Sequence, residues 1–112
     1  MVKKYSPRKG DIVLLNFNPQ KGKEQSGKRP ALVISATAYN KKVGLAIFCP
    51  ITKQIKGYPF EVELPKKLKT KGAILTDHVK NLDWKERSAK FLEKIPKETF
   101  QNVLEKLSTL LD

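Results

Sequence analysis

The sequence has 112 residues, and its 23 lysines and arginines against 11 acidic residues give a formal net charge of +12 at pH 7. This length favours one domain with a substantial core and excludes two independent ones. The basic charge favours polyanionic partners, namely nucleic acid, an anionic membrane surface or an acidic protein. The single cysteine, Cys49, excludes an intramolecular disulfide framework, and the longest apolar stretch is too short for a membrane span. We therefore expect a soluble cytoplasmic protein without a secretion signal.

Apolar runs of strand length follow one another over the first 95 residues. Six segments have the apolar or alternating pattern that predicts β-strands: 11–17, 31–35, 43–52, 59–64, 72–79 and 88–95. Turns are predicted at "YNKKVG" (39–44) and "NLDWKE" (81–86). Pro50 predicts a bend, a bulge or the strand end within the third segment. In the fourth segment the alternation predicts that Glu61 and Glu63 face away from the core.

The pattern changes after residue 95, where apolar residues recur at spacings of three, four and seven. These residues predict the apolar side of a helix: Phe100, Val103, Leu104, Leu107, Leu110 and Leu111. Pro96 suits the first helical turn, and Glu98 suits the positive end of the helix dipole. Many short strands followed by one amphipathic helix predict an α+β fold, mainly β, with a helix lying on a small barrel or strongly bent sheet.

The residue types argue against a metal site and against a phosphate-binding loop. One cysteine and one histidine cannot form the usual structural zinc sets, and no D-x-D-x-D-G loop is present. The glycines at 22 and 27 are not followed by Gly-Lys-Ser/Thr. We expect no metal and no cofactor. Cys49 and His78 could form a catalytic pair, but Cys49 lies in the most apolar strand and is predicted to be a core thiol.

Polar residues at the ends of the predicted strands are the candidates for chemistry. Arg29 precedes Pro30, which favours an extended backbone and a side chain that projects at the start of a strand. Its guanidinium offers a rigid fork of donors for phosphate oxygens. Further candidates are Glu24 and Gln25 in the glycine-flanked loop, Thr52 at a strand end, and Asp77 with His78. The structural alternatives are an exposed ion pair for Glu24, a turn cap for Thr52 and a structural role for His78.

Characteristic motifs occur in order along essentially the whole chain: "GDIVLLNFNPQKGKEQSGKRPALVIS", "YNKKVGLAIFCPITKQIKGYPFEVEL" and "GAILTDHVKNLDW". Together they resemble the MazF/PemK family of toxin endoribonucleases, and its MazF branch in particular. The resemblance implies a single toxin domain over residues 1–112. It also implies an SH3-like small barrel with a C-terminal amphipathic helix, of the CcdB/MazF plasmid-maintenance toxin type.

The same resemblance implies an activity and partners. It implies a metal-independent, sequence-specific endoribonuclease that cleaves single-stranded RNA (mRNA) and thereby inhibits translation and growth. The family works as a homodimer and is held inactive by an acidic antitoxin protein. Contact with DNA is implied only indirectly, through the antitoxin complex, and no membrane contact is implied.

The resemblance also suggests roles for single residues. Arg29, in the R-P motif, and Thr52, after the third strand, correspond to catalytic residues. Glu24, in the E-Q pair, corresponds to a residue that related toxins require, and placement of the RNA suits it better than proton transfer. Asp77 corresponds to the aspartate of the strand-end T-D step.

Two positions depart from the family pattern. In the PemK-like branch a catalytic arginine lies two residues before the aspartate, where this chain has Leu75. The catalytic role therefore falls on Arg29 rather than on a mechanism centred on Asp77. The residue after the aspartate is often glutamine in the family, whereas here it is His78, which could assist proton transfer or contact a base.

Without a metal, RNA is most simply cleaved when its own 2′-hydroxyl attacks the adjacent phosphate. Arg29 suits stabilisation of the phosphoryl oxygens through charge-assisted hydrogen bonds, and Thr52 suits the positioning of an oxygen. The sequence does not assign the general base or the general acid. The residues expected to bind RNA are Phe17, Asn18, Gln25, Lys28, Lys56, Asp77 and His78, with the lysines of "KKLKTK" at 66–71.

Two other functions are compatible with the sequence. A related toxin group with the same barrel poisons DNA gyrase through protein contact and has no nuclease site. The intact E-Q-x-G-x-R-P loop counts against this function. The second alternative is a non-catalytic RNA-binding barrel, which the basic charge alone permits. Incubation of the protein with a long RNA in the presence of a chelator separates the three.

Overall fold

The computed structural model describes residues 4–17 and 27–112, and this part of the chain contains seven strands and two α-helices. The strands are β1 (Asp11–Asn16), β2 (Lys28–Val33), β3 (Leu45–Thr52), β4 (Glu61–Glu63), β5 (Ala73–Leu75), β6 (Lys80–Asp83) and β7 (Lys90–Lys94). The helices are α1 (Thr37–Val43) and α2 (Lys97–Leu111), and a 3₁₀ turn (Thr76–His78) follows β5. Neither helix in these two ranges has the length and apolar character needed to cross a bilayer.

The strands form an antiparallel sheet in the order β4-β5-β3-β2-β1-β7, with β6 paired to β3 outside this order. β3 connects the parts of the sheet because it changes partners along its length. Residues 45–48 pair with β6 and residues 48–50 pair with β2, whereas Ile51 and Thr52 pair with β5. Pro50 therefore marks the end of the pairing with β2, and not the end of the strand. The predicted fold class, a mainly β SH3-like barrel with a C-terminal helix, is confirmed.

The core consists of two clusters because the central strands are buried on both faces. Successive residues of a strand point to opposite faces, so Ile12 and Val13 belong to different clusters. The first cluster is covered by α2, which contributes the buried Val103 and the half-buried Phe100 and Leu107. Burial on both faces explains why the first strands are nearly continuous apolar runs.

Four details differ from the sequence prediction. Residues 39–44 lie largely in helix α1 instead of a turn, and residues 81–86 begin within strand β6. The predicted strand at 72–79 ends at residue 75 and continues as the 3₁₀ turn. The apolar side of α2 runs past its packed part, so Leu110 and Leu111 are exposed. Helix α1 depends on distant contacts, because its buried Asn40 side chain donates a hydrogen bond to the carbonyl of Pro7 at 3.0 Å.

A buried carboxylate, Asp11, fastens the N-terminal segment to the sheet. Its side chain is 2% exposed and accepts hydrogen bonds from the Tyr5 hydroxyl (2.5 Å), the Arg8 backbone N–H (3.0 Å) and the Lys94 ammonium (2.8 Å). Burial, together with the hydrogen bond to Asp11, raises the pKa of the Tyr5 hydroxyl far above its usual value. These bonds join the residues before β1 to β7.

Candidate functional site

Arg29 lies near the start of β2, where its backbone pairs with β1 and its residue is exposed to solvent. β2 pairs on its other side with β3, and the last pair of this ladder is Ala31 with Pro50. Because the two strands are antiparallel, the start of β2, with Arg29, and the end of β3, with Thr52, lie at the same end of the ladder. The two predicted catalytic residues therefore lie at the same end of neighbouring strands.

Thr52 is half-buried at the end of β3 and is closely approached by a glycine. Its hydroxyl accepts a hydrogen bond from the Gln54 backbone N–H at 3.1 Å, so Thr52 also caps the turn that follows β3. A Cβ atom built on Gly72 would lie 2.0 Å from the Thr52 carbonyl oxygen, and the φ angle of Gly72 is +123°. Only glycine fits this conformation and this contact. The position of Thr52 therefore depends on Gly72 as well as on β3.

Thr52 lines an open pocket of about 300 Å³. This volume is at the lower end of the range for small-ligand sites. Its lining residues are Thr52, Gln54, Lys56, Tyr58, Glu61, Leu75 and His78. Three of the predicted site residues, Thr52, Lys56 and His78, thus share one concave surface. The pocket offers a hydroxyl, an ammonium and an imidazole to one ligand, and Leu75 lies where the PemK-like branch has its arginine.

Asp77 lies beside this pocket and interacts with two of its lining residues. The Tyr58 hydroxyl donates a hydrogen bond to Asp77 Oδ1 at 2.7 Å, and His78 Nε2 lies 3.8 Å from the same oxygen. The hydrogen bond to Asp77, with desolvation as the second cause, raises the pKa of Tyr58 to about 12. The side chains of Asp77 and His78 are 32% and 51% exposed. Both residues belong to the 3₁₀ turn, which explains why polar residues follow the apolar β5.

The loop that carries Lys56 is ordered by Glu61. The Glu61 carboxylate accepts hydrogen bonds from the backbone N–H groups of Lys56 (3.1 Å to each oxygen) and Gly57 (2.7 Å). Glu61 belongs to neither core cluster, in agreement with the prediction that it faces away from the core, and it is half-buried because it turns toward this loop. Glu63 is exposed, as the alternation predicts.

The residues that flank positions 18–26 are joined by a backbone hydrogen bond, and an arginine binds the carbonyls just before this segment. The Phe17 N–H donates to the Gly27 carbonyl at 2.9 Å. The Arg87 guanidinium donates to the carbonyls of Asn16 (3.2 Å) and Phe17 (2.9 Å). The Phe17 side chain is half-buried against the second core cluster, so only part of its ring is available for stacking on a base.

Three predicted site residues, Asn18, Glu24 and Gln25, lie outside the described residues, and their roles stay predictions. Lys28 follows this segment at the start of β2, where its backbone pairs with Asn16 and its residue is exposed. An exposed ammonium next to Arg29 along the strand is compatible with contact to an RNA phosphate.

The lysine-rich run at 66–71 forms an ordered loop. Leu68 is buried in the first core cluster, and the backbone N–H groups of Lys69 and Thr70 donate to the Glu93 carboxylate at 3.2 and 2.7 Å. Partial burial acts to raise the pKa of Glu93, but the hydrogen bonds from Thr70 and Lys69 outweigh it and lower that pKa. A second pocket of about 350 Å³ is lined by Pro30, Lys53, Lys69, Thr70, Lys71, Leu92 and Glu93. The run therefore places lysines beside Pro30, the neighbour of Arg29.

Cys49 is fully buried in β3, which confirms the prediction of a core thiol. Burial, followed by the negative charge of Asp77, raises the pKa of the Cys49 thiol to about 12. A thiolate nucleophile at this position is therefore disfavoured. Within residues 4–17 and 27–112, no group of three or more His, Cys, Asp and Glu side chains is arranged to hold a metal ion.

Three polar pocket residues were not among the sequence candidates: Gln54, Tyr58 and Glu61. Tyr58 and Glu61 belong to the K-G-Y-P-F-E-V motif, so the motif itself was the available signal. The alternation of that segment assigned Glu61 to solvent and said nothing of Tyr58. Their contacts with Lys56, Gly57 and Asp77 depend on how the loop before β4 folds back, which periodicity does not describe.

A family model described as "PemK-like, MazF-like toxin of type II toxin-antitoxin system" matches residues 8–111. The chain belongs to this toxin family. The "Endoribonuclease toxin MazF" of Escherichia coli strain K12 is 40% identical to the chain over 111 residues, which are 99% of either protein. The family resemblance carried by the sequence motifs is thereby confirmed.

Solved structures of related toxins have the same fold. The crystal structure of MazF (Form-I) from Deinococcus radiodurans has a TM-score of 0.88 and 49% identity, and covers 96% of this chain and 98% of that chain. A MazE-MazF crystal structure (Form-II) from the same organism has a TM-score of 0.86 and 44% identity, with coverage of 96% and 97%.

Proposed function

We propose that this protein is the toxin of a type II toxin–antitoxin system and a metal-independent endoribonuclease that cleaves single-stranded mRNA, which stops translation and growth. The observation that carries the proposal is the position of Arg29 and Thr52 at the same end of the antiparallel strands β2 and β3, where Thr52 lines the pocket that contains Lys56. Family membership over residues 8–111 and the endoribonuclease relatives support it. We assign the activity to one domain comprising residues 1–112.

The proposed reaction uses the 2′-hydroxyl of the RNA as the nucleophile. The 2′-oxygen bonds to the adjacent phosphorus while the bond from phosphorus to the 5′-oxygen breaks, which yields a 2′,3′-cyclic phosphate and a 5′-hydroxyl. The transition state carries extra negative charge on the phosphoryl oxygens, and a pre-positioned donor stabilises it. Arg29 suits this task because the pairing of β1 with β2 fixes its backbone and its guanidinium donates two parallel hydrogen bonds.

Thr52 supports this chemistry without losing its role in the turn. A hydroxyl carries one donor and two acceptor positions. The hydrogen bond from the Gln54 N–H uses one acceptor position, so the hydroxyl proton is available for a phosphoryl oxygen. Both interpretations of Thr52, as a turn cap and as a catalytic residue, are therefore compatible with each other.

The RNA is bound by residues around the two strand ends. Lys28 and Lys56 are exposed and flank Arg29 and Thr52, so they are suited to neighbouring phosphates. We assign contact with the RNA bases to Phe17, Asn18 and Gln25, and to Asp77 at the pocket. Single-stranded RNA is read through stacking and hydrogen bonds to base edges. Glu24 is assigned to the placement of the RNA.

The proposed assembly is a homodimer that an acidic antitoxin protein inhibits in the cytoplasm. The MazE-MazF crystal structures of a relative at 44% identity support a protein partner of this kind. The net charge of +12 per chain favours an acidic segment that covers Arg29 and Glu24 and so competes with RNA. DNA is contacted only through the antitoxin in this proposal.

The test is cleavage of a long RNA by the purified protein in excess EDTA, with Arg29→Ala as the main variant. Loss of a transition-state donor is expected to reduce turnover by about 10²–10³-fold. Arg8→Ala is the matched control, because Arg8 is also exposed but binds Asp11 through its backbone N–H, which the substitution retains. Both variants should keep the wild-type melting temperature, and Arg29→Lys should restore little activity because it lacks the guanidinium fork.

Three results would contradict the proposal. A strict requirement for Mg²⁺ would exclude the metal-independent reaction. Efficient cleavage of a substrate with 2′-deoxyribose at the cleavage position would exclude the 2′-hydroxyl as nucleophile. Intact RNA with every preparation of the folded wild-type protein would instead favour the gyrase-poisoning or the RNA-binding alternative.

A further inference from the structure

The proposed reaction requires a proton for the 5′-oxygen that leaves the phosphorus, and none of the residues assigned above supplies it. His78 is the only histidine among the 112 residues. It lies on the 3₁₀ turn, is half exposed and lines the same pocket as Thr52 and Lys56. Imidazole is the side chain that ordinarily changes its charge between about pH 5 and 8, so it can carry a proton at neutral pH.

Asp77 lies on one side of the imidazole, and Tyr58 binds Asp77. His78 Nε2 lies 3.8 Å from Asp77 Oδ1, and the Tyr58 hydroxyl donates to that oxygen at 2.7 Å. Because the pKa of Tyr58 is raised to about 12, Tyr58 is a hydrogen-bond donor to Asp77 at neutral pH and retains its own proton. A carboxylate that faces one ring nitrogen leaves the other nitrogen for a substrate.

The other parts of the protein around His78 are the pocket lining, β3 and α2. Lys56 and Glu61 line the pocket, but the Glu61 carboxylate is already engaged by two backbone N–H groups, so Asp77 is the carboxylate that serves the imidazole. β3 packs against the 3₁₀ turn and contributes no charged side chain. α2 also packs there, and its charged residues are Lys97, Glu98, Glu105 and Lys106.

We propose that His78 is the general acid of the cleavage reaction and that Asp77 and Tyr58 are its positioning residues; this rests on the proposed endoribonuclease function. The 2′-oxygen bonds to phosphorus and releases its proton to solvent water. The bond from phosphorus to the 5′-oxygen breaks, the electron pair stays on that oxygen, and the oxygen takes the proton of the His78 imidazolium. The neutral imidazole then regains a proton from water. The glutamine that is frequent at this position in the family cannot transfer a proton in this way.

The first experiment compares two substrates with wild-type protein and with His78→Gln, which retains polarity but cannot titrate. One substrate is an ordinary RNA oligonucleotide, and in the other a sulfur atom replaces the 5′-oxygen at the cleavage position. A thiolate leaves without protonation, so loss of a general acid affects only the ordinary RNA. His78→Gln is expected to slow cleavage of the ordinary RNA by about 10²-fold or more. Its cleavage of the sulfur substrate should stay within about threefold of wild type, because proton transfer contributes nothing to that reaction.

Tyr58→Phe, Asp77→Asn and the control Lys80→Gln complete the series. Lys80 is exposed on β6, outside the pocket, and its substitution should change neither substrate's rate. Tyr58→Phe and Asp77→Asn remove the positioning contacts, so we expect smaller losses on the ordinary RNA than His78→Gln causes and near-normal cleavage of the sulfur substrate. The melting temperature should stay unchanged in His78→Gln, and any weaker binding of an uncleavable 2′-deoxy oligonucleotide is measured separately, so that the two substrates are compared at saturating protein.

The second experiment is the pH profile of single-turnover cleavage. A general acid acts in its protonated form, so the rate on ordinary RNA should fall as pH rises, and this limb of the profile should be absent in His78→Gln. Because the chain has one histidine, no other imidazole can produce the limb. Equal losses on both substrates, an unchanged rate on ordinary RNA, or a retained limb in His78→Gln would each overturn the assignment. Failure of the wild-type protein to cleave ordinary RNA would instead overturn the proposed function.

Discussion

Two tyrosine–aspartate hydrogen bonds in this protein have the same chemistry in different surroundings. Tyr5 donates to Asp11 in the interior, where Asp11 also accepts hydrogen bonds from a backbone N–H and from Lys94. Tyr58 donates to Asp77 at the surface, beside an open pocket. The interior carboxylate binds three donors of its own protein, whereas the surface carboxylate is open to further donors from outside. The first pair is therefore suited to stability, and the second is suited to an incoming ligand.

The difference follows from the cost of an unpaired polar group. In the interior, a donor or acceptor that loses its partner cannot turn to water, so the hydrogen bonds of the buried Asp11 carboxylate stabilise the fold. At the surface, water replaces a lost partner, and Tyr58, Asp77 and His78 can exchange partners without unfolding the chain. Residues at a pocket whose contacts contribute little to the stability of the fold are suited to substrate chemistry.

The largest expected effect is the difference in the free energy of unfolding between Asp11→Ala and Asp77→Ala. Asp11→Ala removes three hydrogen bonds and leaves the Tyr5 hydroxyl and the Arg8 N–H without their partner. We expect it to reduce the free energy of unfolding by about 3 kcal/mol. Asp77→Ala should change stability by no more than about 0.5 kcal/mol, because the residue is exposed. Urea denaturation measures both values.

The cleavage activities of the two variants should show the reverse order, with the larger loss in Asp77→Ala. Asp77→Ala is expected to slow RNA cleavage by about thirtyfold through misplacement of His78, which is less than the loss expected from His78→Gln. Asp11→Ala should retain wild-type cleavage at a temperature where it is fully folded. A loss of stability in Asp77→Ala equal to that in Asp11→Ala would remove the distinction between the two pairs.

The strands and the strand-end residues could be predicted because their signals are local. Apolar runs and a change to helical spacing indicate the sheet and α2, and Pro30 after Arg29 indicates an extended backbone. Arg29 and Thr52 are therefore found by sequence reasoning at the ends of strands. The pairing of β2 with β3 then brings these two ends together.

Side-chain contacts across the sequence could not be predicted in this way. Tyr58 reaches Asp77 only because the loop before β4 and the 3₁₀ turn after β5 lie side by side, which no periodicity describes. The same reason explains helix α1, whose Asn40 bonds to Pro7 and Ser35 determine a conformation that the local sequence assigns to a turn. The contacts of Glu61 could not be predicted either, because the backbone N–H groups that it binds lie in an irregular loop.

A smaller effect is expected from removal of one hydroxyl in each pair. Tyr5→Phe should reduce the free energy of unfolding by about 1 kcal/mol, the usual net value of a hydrogen bond that becomes unpaired in the interior, and should leave cleavage unchanged. Tyr58→Phe should leave stability unchanged and slow cleavage by about tenfold, a smaller positioning defect than that of Asp77→Ala. A measurable loss of stability in Tyr58→Phe would show that the surface pair also supports the fold.

The smallest expected effect lies in the alkaline pH dependence of stability. Both tyrosines have a raised pKa in the folded protein, so between pH 10 and about 12 the folded state retains phenol protons that the unfolded state has released. The stabilising contribution of each hydrogen bond is therefore complete below pH 10 and is lost as pH rises through the folded pKa. For Tyr58 that pKa is about 12, and for Tyr5 it is higher because burial adds to the effect of the carboxylate.

Tyr5→Phe should therefore flatten the fall in unfolding free energy above pH 10 more than Tyr58→Phe does. Lysines also titrate in this range, but their contribution is common to wild type and both variants and cancels in the differences. Urea denaturation at several pH values between pH 9 and 12 gives the three curves. Because Tyr58 is exposed to water, its variant should follow the wild-type curve closely. Equal flattening by both substitutions would mean that the surface pair is as strongly coupled to folding as the buried one.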